Sequence, residues 1–277
     1  MYRQKLIALL LLAGLARADG LPLISNEAKH CLKPNICATV SVSSIASPDP
    51  ALNAYADNLM NGPDDTATAK TYRFDKWDKA GLEAWIRRVA QEELSADEEP
   101  NNDYTFDYVV SQVGESAHYR VLDFNLNTYT GGAHGMSSSR FYVLPKAGAL
   151  KAVALEDILL PNQRAKLDAL QQQAFTRWLK TDEAGGMGPM DDEGVKEHFE
   201  TFPFTANANW RPDKKGLLFR YDPYEIGPYA MGMPEVLVPT AELKDVVKPE
   251  ILAELDSWQD QYWEPGEVVA NNPQWRD

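Results

Sequence analysis

Two loops rich in glycine and proline interrupt the regular patterns of this chain, at residues 129–135 (YTGGAHG) and 222–232 (DPYEIGPYAMG). Pro223 and Pro228 fix φ and lack a donor N–H, so no regular strand ladder can run through the second loop. That loop nevertheless carries two tyrosines, an isoleucine and a methionine, which a solvated linker does not need. Binding sites are commonly built from rigid loops with aromatic anchors held on strands, so we expect the function to lie here.

The patterns around these loops predict an α+β protein, with a largely antiparallel sheet packed with several helices. Period-two alternation or high β-propensity predicts strands at residues 38–46, 104–113, 119–126, 138–144, 216–221 and 235–239. Apolar stripes at helical spacing predict helices at residues 51–60, 77–94, 163–180, 193–202 and 243–262. The segment 263–277 is too irregular to place.

The first 18 residues have the pattern of a secretory signal peptide. Arg3 and Lys5 precede an apolar run at residues 6–15, and residues 16–18 (ARA) form a small-x-small cleavage site. The apolar run is short for a membrane span, and no cysteine follows the cleavage site for lipid attachment. We therefore expect cleavage after Ala18 and a periplasmic or secreted protein without a stable membrane anchor.

The charge of the chain restricts its partners. Without Arg3, Lys5 and Arg17, 24 basic residues face 41 acidic residues, a formal net charge of −17. Nucleic acid and anionic lipid are therefore poor partners, whereas a cationic protein or peptide is a good one because opposite charges steer encounter. The alternative is that the acidity only keeps an exported protein soluble.

Cys31 and Cys37 are the two cysteines of the chain. In an exported protein this spacing favours a disulfide that closes a small loop. A metal site would need two more ligands, and beyond the adjacent His30 there is no fourth candidate.

The sequence contains no motif for catalysis, metal binding or cofactor binding. The histidines His30, His118, His134 and His198 are isolated, and zinc, nucleophile-elbow, Walker and dinucleotide motifs are absent. Asp222 and Glu225 could be hydrolytic acids, but their position favours contact with an arginine or lysine of a partner. We therefore expect a protein that is not an enzyme and that uses neither cofactor nor metal.

The aromatic residues of the loops leave two interpretations open. Tyr224 and Tyr229 each follow a proline, so they have little freedom to lose on binding and suit rigid anchors. Alternatively, both rings pack under their own loop with internally satisfied hydroxyls. His134 likewise either hydrogen-bonds across the glycine-rich turn or contacts a partner.

The two loop motifs resemble those of the extracytoplasmic domain of RsiV, the lysozyme-sensing anti-sigma factor, and its relatives. The first motif is residues 129–135, and the second is residues 216–232 followed by residues 236–243. The intervening residues 150–161 (LKAVALEDILLP) resemble the link between the two halves of that domain. On this resemblance the chain divides into a signal peptide, a disulfide-stapled segment, two RsiV-like halves and a tail, at residues 1–18, 19–38, 39–149, 150–255 and 256–277.

The resemblance implies an α+β domain that binds a cationic muramidase of the animal lysozyme type. It also implies that the loops enter the active-site cleft of the enzyme, so that binding inhibits it. The partner-binding residues would then be Thr130, Gly131, Gly132, Ala133, His134, Gly135, Asp222, Pro223, Tyr224, Glu225, Pro228 and Tyr229. We expect no signalling role, because the chain has neither a sigma-binding segment nor a transmembrane helix of that family, and no deacetylase domain follows.

Such an inhibitor would defend against host lysozyme or give immunity to the muramidase toxin of a competitor. Two alternatives remain open at this point. The first is an envelope enzyme or accessory factor that acts on peptidoglycan itself. The second is a module of the same fold with another protein ligand, since a fold does not fix a function.

Overall fold

The computed structural model describes residues 18–34, 36–60, 78–94, 103–182, 184 and 187–262. The expected signal peptide, apart from Ala18, and the tail at residues 263–277 lie outside the described residues. Within them the protein has an α+β fold, as the sequence predicts.

A large mixed sheet forms the centre of the molecule. Its strands are β1 (Ala18–Asp19), β2 (Leu23–Lys33), β3 (Ile36–Ile45), β4 (Tyr104–Glu115), β5 (Tyr119–Tyr129), β6 (Met136–Pro145) and, from the end of the described chain, β10 (Gln259–Tyr262). The main order is β2-β3-β4-β5-β6, and β10 pairs with the end of β4 and with β1. Most neighbours are antiparallel, but β3 runs parallel to β4, and β1 runs parallel to β10. A second, antiparallel sheet contains β7 (Trp210–Asp213), β8 (Gly216–Arg220) and β9 (Glu235–Pro239).

The helices lie between and beside these strands. They are α1 (Pro50–Leu59), α2 (Lys79–Glu93), α3 (Leu155–Ile158), α4 (Arg164–Leu179), α5 (Asp192–Thr201), α6 (Thr240–Leu243) and α7 (Pro249–Asp256). Three helices begin where an aspartate side chain accepts a hydrogen bond from a backbone N–H of the first turn. These caps are Asp49 for α1, Asp78 for α2 and Asp191 for α5.

The large sheet separates two hydrophobic cores. Alternation along β5 sends Leu122 into the core with α1 and α2, whereas its neighbour Val121 enters the core with α4 and the small sheet. Leu144 and Val143 divide in the same way along β6. The C-terminal half of the chain therefore packs on the face of the large sheet opposite α1 and α2. The edge strand of the large sheet next to that half is β6.

Disulfide-bonded Cys31 and Cys37 face each other across the hairpin of β2 and β3. This hairpin extends along most of β3, so the segment 19–38 is largely part of the large sheet. The sequence pattern located β3 but not β2, because residues 23–33 do not alternate clearly.

The prediction that residues 243–262 are mostly helical is wrong at both ends of the segment. Within this segment, Leu243 is the last residue of α6, and Pro249–Asp256 form α7. Residues 259–262 form β10. Pro249 suits the first turn of a helix and cannot continue one that arrives from before it. After the helix, the fully buried Trp258 packs into the core, and the chain then pairs with β4. Short strand β7 was also missed.

Candidate functional site

The two glycine- and proline-rich loops meet in space through three rings. The ring of His134 stacks on Tyr229, with centroids 3.7 Å apart and planes 14° from parallel. The Tyr224 hydroxyl lies 3.1 Å from Nε2 of His134. The centroids of the two tyrosines are 5.8 Å apart. We call His134, Tyr224 and Tyr229 the aromatic cluster.

The aromatic cluster lies at the surface. The Tyr224 residue is 51% exposed, His134 is exposed, and Tyr229 is half-buried. Tyr224 also has a φ of +70°, a left-handed conformation that costs an L-residue about 1–2 kcal/mol. Strained backbone conformations cluster at functional sites, so the conformation of Tyr224 marks this loop as a candidate site.

A compact turn imposes this conformation on Tyr224. The Asp222 N–H donates to Oε2 of Glu225 at 2.9 Å, and the Glu225 N–H donates back to the Asp222 carbonyl at 3.1 Å. Pro223 fixes the backbone between these two residues. The reciprocal bonds close the turn and point the tyrosine toward the first loop.

The first loop is shaped by glycines at two points. Gly131 and Gly132 have φ values of +89° and +87°, which are accessible to glycine at no steric cost. At Gly135 an added Cβ would lie 2.7 Å from the Thr128 carbonyl oxygen, so a larger residue would push the two strand ends apart. The Tyr129 hydroxyl donates to the Gly132 carbonyl at 3.1 Å and closes the loop.

The hydrogen bonds of neutral His134 determine which of its two ring nitrogens carries the proton. Its Nδ1 lies 3.0 Å from the carbonyl oxygen of Gly135, which can only accept. Nδ1 therefore carries the proton, and Nε2 has a lone pair. It follows that the Tyr224 hydroxyl donates to Nε2.

Behind the aromatic cluster, two side chains form hydrogen bonds with the free edge of β6. Asp222 accepts from the Ser139 N–H at 2.9 Å and from the Ser138 hydroxyl at 2.9 Å. Asn209 donates to the Ser139 carbonyl at 2.8 Å and accepts from the Phe141 N–H at 2.7 Å. These side chains occupy the place of a neighbouring strand, which protects an edge that could otherwise pair with another chain.

A buried ion-pair network lies beneath this edge. Arg220 donates to Asp123 at 2.6 Å and to Glu235 at 2.6 Å, and its guanidinium lies 4.2 Å from the ring centre of Phe141. Burial opposes the charged form of Arg220, but the two carboxylates outweigh burial and raise its pKa. The side chain of Asp123 is only 5% exposed, so it depends on Arg220 and on the Ser139 hydroxyl for compensation.

Two further buried contacts fix the base of the second loop. Tyr221 is fully buried, and its hydroxyl donates to Gln171 at 2.6 Å, while burial raises its pKa. His198 is 6% exposed, and its Nε2 lies 2.9 Å from the carbonyl oxygen of Ile226 in the middle of the loop. The second loop is therefore held from the interior at both its start and its centre.

An open cleft of about 370 Å³ lies beside Tyr224. Its walls are formed by Ser139, Arg140, Asn207, Asn209, Asp222, Pro223, Tyr224 and Glu225. Both oxygens of Glu225 accept hydrogen bonds, from Asp222 and from Asn207, and both oxygens of Asp222 accept from β6. The two carboxylates that the sequence singled out thus have structural partners within the protein.

All twelve residues predicted to bind a partner lie on these two loops, and the aromatic cluster joins the loops. Thr130, Gly132, Ala133 and Glu225 are exposed, whereas Pro228 and Gly131 are half-buried. Sequence reasoning missed Arg140, which lines the cleft, and the residues that position the site, which are Ser139, Asn207, Asn209 and Arg220. A charged residue inside the apolar run at residues 216–221 (GLLFRY) was the signal that could have identified Arg220.

In the described part of the chain, no three His, Cys, Asp or Glu side chains lie together as a metal site would require. Nor does any helix there have the length and apolar character needed to cross a bilayer.

Residues 156–241 match the sequence model of DUF3298, a family described as protein of unknown function. The second loop lies inside the segment that this family model matches. A DUF3298 family protein from Pseudomonas aeruginosa PAO1 has a similar crystal structure, with a TM-score of 0.62 and 22% identity over 84% of this chain and 97% of that chain. A member of the DUF3298 family from Bacteroides fragilis NCTC 9343 gives a TM-score of 0.55 and 21% identity, over 87% and 99% of the two chains.

These similarities establish the fold and not the activity, because both identities are low. Nearly the whole length of each solved DUF3298 structure aligns with this chain, so the fold extends well beyond the segment that the family sequence model matches. No match was found among curated proteins.

Proposed function

We propose that this protein is an exported, non-catalytic binding protein whose two loops bind and inhibit a cationic muramidase of the lysozyme type. The observation that carries the proposal is the contact between His134 of the first loop and Tyr224 and Tyr229 of the second. Two motifs that are far apart in sequence form one exposed surface, as a single binding site requires.

Rigidity and aromatic character support a protein partner. A protruding tyrosine on a turn closed by reciprocal hydrogen bonds loses little conformational entropy on binding. Tyrosines at the centre of interfaces are frequent hot spots. The RsiV-like character of both loops then points to the active-site cleft of a lysozyme-type enzyme as the surface that receives them.

Charge and compartment support the same partner. The expected mature chain has a net charge of −17, which favours encounter with a strongly basic protein. The Cys31–Cys37 disulfide is consistent with an envelope protein, because disulfides persist in oxidising compartments. In this setting the protein would serve host-lysozyme defence or immunity to a muramidase toxin.

The direct test is a titration of the purified mature protein with hen lysozyme by calorimetry, followed by a muramidase assay on peptidoglycan. We expect a saturable one-to-one complex and loss of muramidase activity in proportion to the complex formed. Absence of heat at micromolar concentrations together with undiminished activity would refute the proposal for this lysozyme type.

A second assay addresses the alternative of an envelope enzyme. Incubated with peptidoglycan alone, the protein should release no muropeptides, because both Asp222 and Glu225 serve as acceptors within the fold. Muropeptide release that disappears in Glu225→Gln would instead favour hydrolysis by the cleft carboxylates.

A further inference from the structure

The cleft beside the aromatic cluster has a definite charge and hydrogen-bonding character. Two carboxylates, from Asp222 and Glu225, line it against one guanidinium, from Arg140. Glu225 is exposed, and its carboxylate has acceptor positions beyond the two already in use, since a carboxylate offers about four. The cleft therefore carries excess negative charge and spare acceptors.

Its amide groups provide few spare donors. The Asn207 side chain donates to the Arg220 carbonyl and to Glu225, at 2.8 Å and 3.1 Å. The Asn209 side chain donates to the carbonyls of Ser139 and Arg220, at 2.8 Å and 3.2 Å. A ligand that enters between these walls meets oxygen acceptors, and Arg140 provides the side-chain cation.

The hydroxyl of Tyr224 is likewise an acceptor of hydrogen bonds from a ligand. Because His134 uses its Nδ1 proton on Gly135, the hydroxyl proton of Tyr224 is committed to His134 Nε2. Its oxygen consequently offers lone pairs to a ligand and not a proton.

We infer that this cleft takes a single arginine side chain of the protein partner. The guanidinium donates to the Glu225 carboxylate and to the Tyr224 oxygen. Arginine suits the site better than lysine, because its planar fork serves several separated acceptors. Arg140, which also lines the cleft, disfavours a second cation. This inference rests on the proposed function, for which it names the chemical group that the muramidase inserts.

The first test needs no muramidase. N-acetyl-L-arginine amide and its neutral isostere, N-acetyl-L-citrulline amide, are titrated into the isotopically labelled mature protein, and the His134 ring resonances are followed by NMR. We expect the arginine derivative to shift these resonances at concentrations where the citrulline derivative does not. Glu225→Gln should weaken arginine binding by about tenfold or more.

A charge-matched control separates the effect of the cleft on arginine binding from the effect of the net charge of the protein. Glu27 is exposed on β2, at the opposite edge of the large sheet, and Glu27→Gln makes the same change of charge far from the site. That variant should bind the arginine derivative as the wild type does. Equal shifts from the arginine and citrulline derivatives, or equal weakening by the two substitutions, would overturn the inference.

The second test uses hen lysozyme and separates this inference from the proposed function. Tyr224→Phe keeps the ring and removes the acceptor, so it should weaken lysozyme binding by about tenfold, as should Glu225→Gln. If wild type fails to bind lysozyme but still prefers arginine over citrulline, the proposed function falls and the arginine subsite stands. If lysozyme binds and Glu225→Gln, Tyr224→Phe and Glu27→Gln all match the wild type, the subsite falls and the proposed function stands.

Discussion

The ion-pair network beneath the site and the aromatic cluster at its tip are both hydrogen-bonded, but they differ in access to water. The side chains of Arg220 and Asp123 are 14% and 5% exposed, whereas Tyr224 is 51% exposed. The network connects β5, β8 and β9, and the cluster connects two loops. The same kind of contact therefore has different consequences in the two regions.

Water explains the difference. A buried charge that loses its partner cannot recover a hydrogen bond from solvent, so the full penalty of desolvation remains. An exposed tyrosine or histidine that loses its partner is hydrated instead, and the folded state loses little. The buried network should thus determine the stability of the fold, and the aromatic cluster should determine binding.

The largest expected effect is on stability, from Arg220→Met. This change leaves Asp123 buried without its cation, and such losses typically cost about 3–5 kcal/mol of the free energy of unfolding. Arg140→Met removes an exposed arginine from the neighbouring wall and should stay within about 0.5 kcal/mol. Urea unfolding of both variants measures the contrast. If both variants lose the same free energy of unfolding, burial does not explain the difference between the two regions.

The next effect is on binding, from Tyr224→Ala. Loss of a rigid aromatic anchor should weaken lysozyme binding by about 2 kcal/mol or more, roughly thirtyfold, while the unfolding free energy changes by about 0.5 kcal/mol or less. Tyr224→Gly should bind as weakly but be more stable than Tyr224→Ala, because glycine relieves the strain at a φ of +70°. Calorimetry and urea unfolding test both variants. Two variants that unfold early and bind normally would place the site elsewhere, on residues 129–135.

A smaller effect concerns a third polar contact, remote from the site. Glu254 on α7 accepts from the Ser116 hydroxyl at 2.6 Å and from the His118 N–H at 3.0 Å, and so fixes the turn between β4 and β5. Burial alone would raise the pKa of Glu254, but hydrogen bonds from Ser116 and His118 outweigh it and lower the pKa.

Because the folded pKa of Glu254 is depressed, its stabilisation is present above the unfolded value of about 4.3 and is lost as the pH falls through the folded value. Glu254→Gln should be less stable than wild type by about 1–2 kcal/mol at neutral pH. The difference should shrink as the pH is lowered below about 4. Thermal unfolding across this range measures it, and a constant difference at all pH values would contradict the assignment.

The smallest effect is expected from salt. Raising the ionic strength should slow association with lysozyme, because screening reduces the attraction between the acidic chain and a basic partner. The dissociation rate should change less, since close contacts at the cluster are screened weakly. Stopped-flow association and dissociation rates in wild type provide the measurement. An association rate that is independent of salt would remove charge steering from the mechanism.

The sequence by itself determined the elements with strong local patterns. Alternation located the hairpin of β4 and β5 and the strand β9, and an apolar stripe located α4. Glycine and proline marked both loops of the site, because these residues restrict the local backbone independently of the rest of the fold. The α+β class follows from the same local signals.

Only the tertiary structure decided how these parts meet. Tyr224 and His134 are 90 residues apart in sequence, and Arg220 and Asp123 are 97 apart. The strand character of residues 259–262 likewise depends on pairing with the end of β4. Such contacts depend on the packing of the C-terminal half against the large sheet, which brings the loops together. Local propensity carries no information about that packing, because a residue's own φ and ψ preferences are the same whichever distant residue it meets.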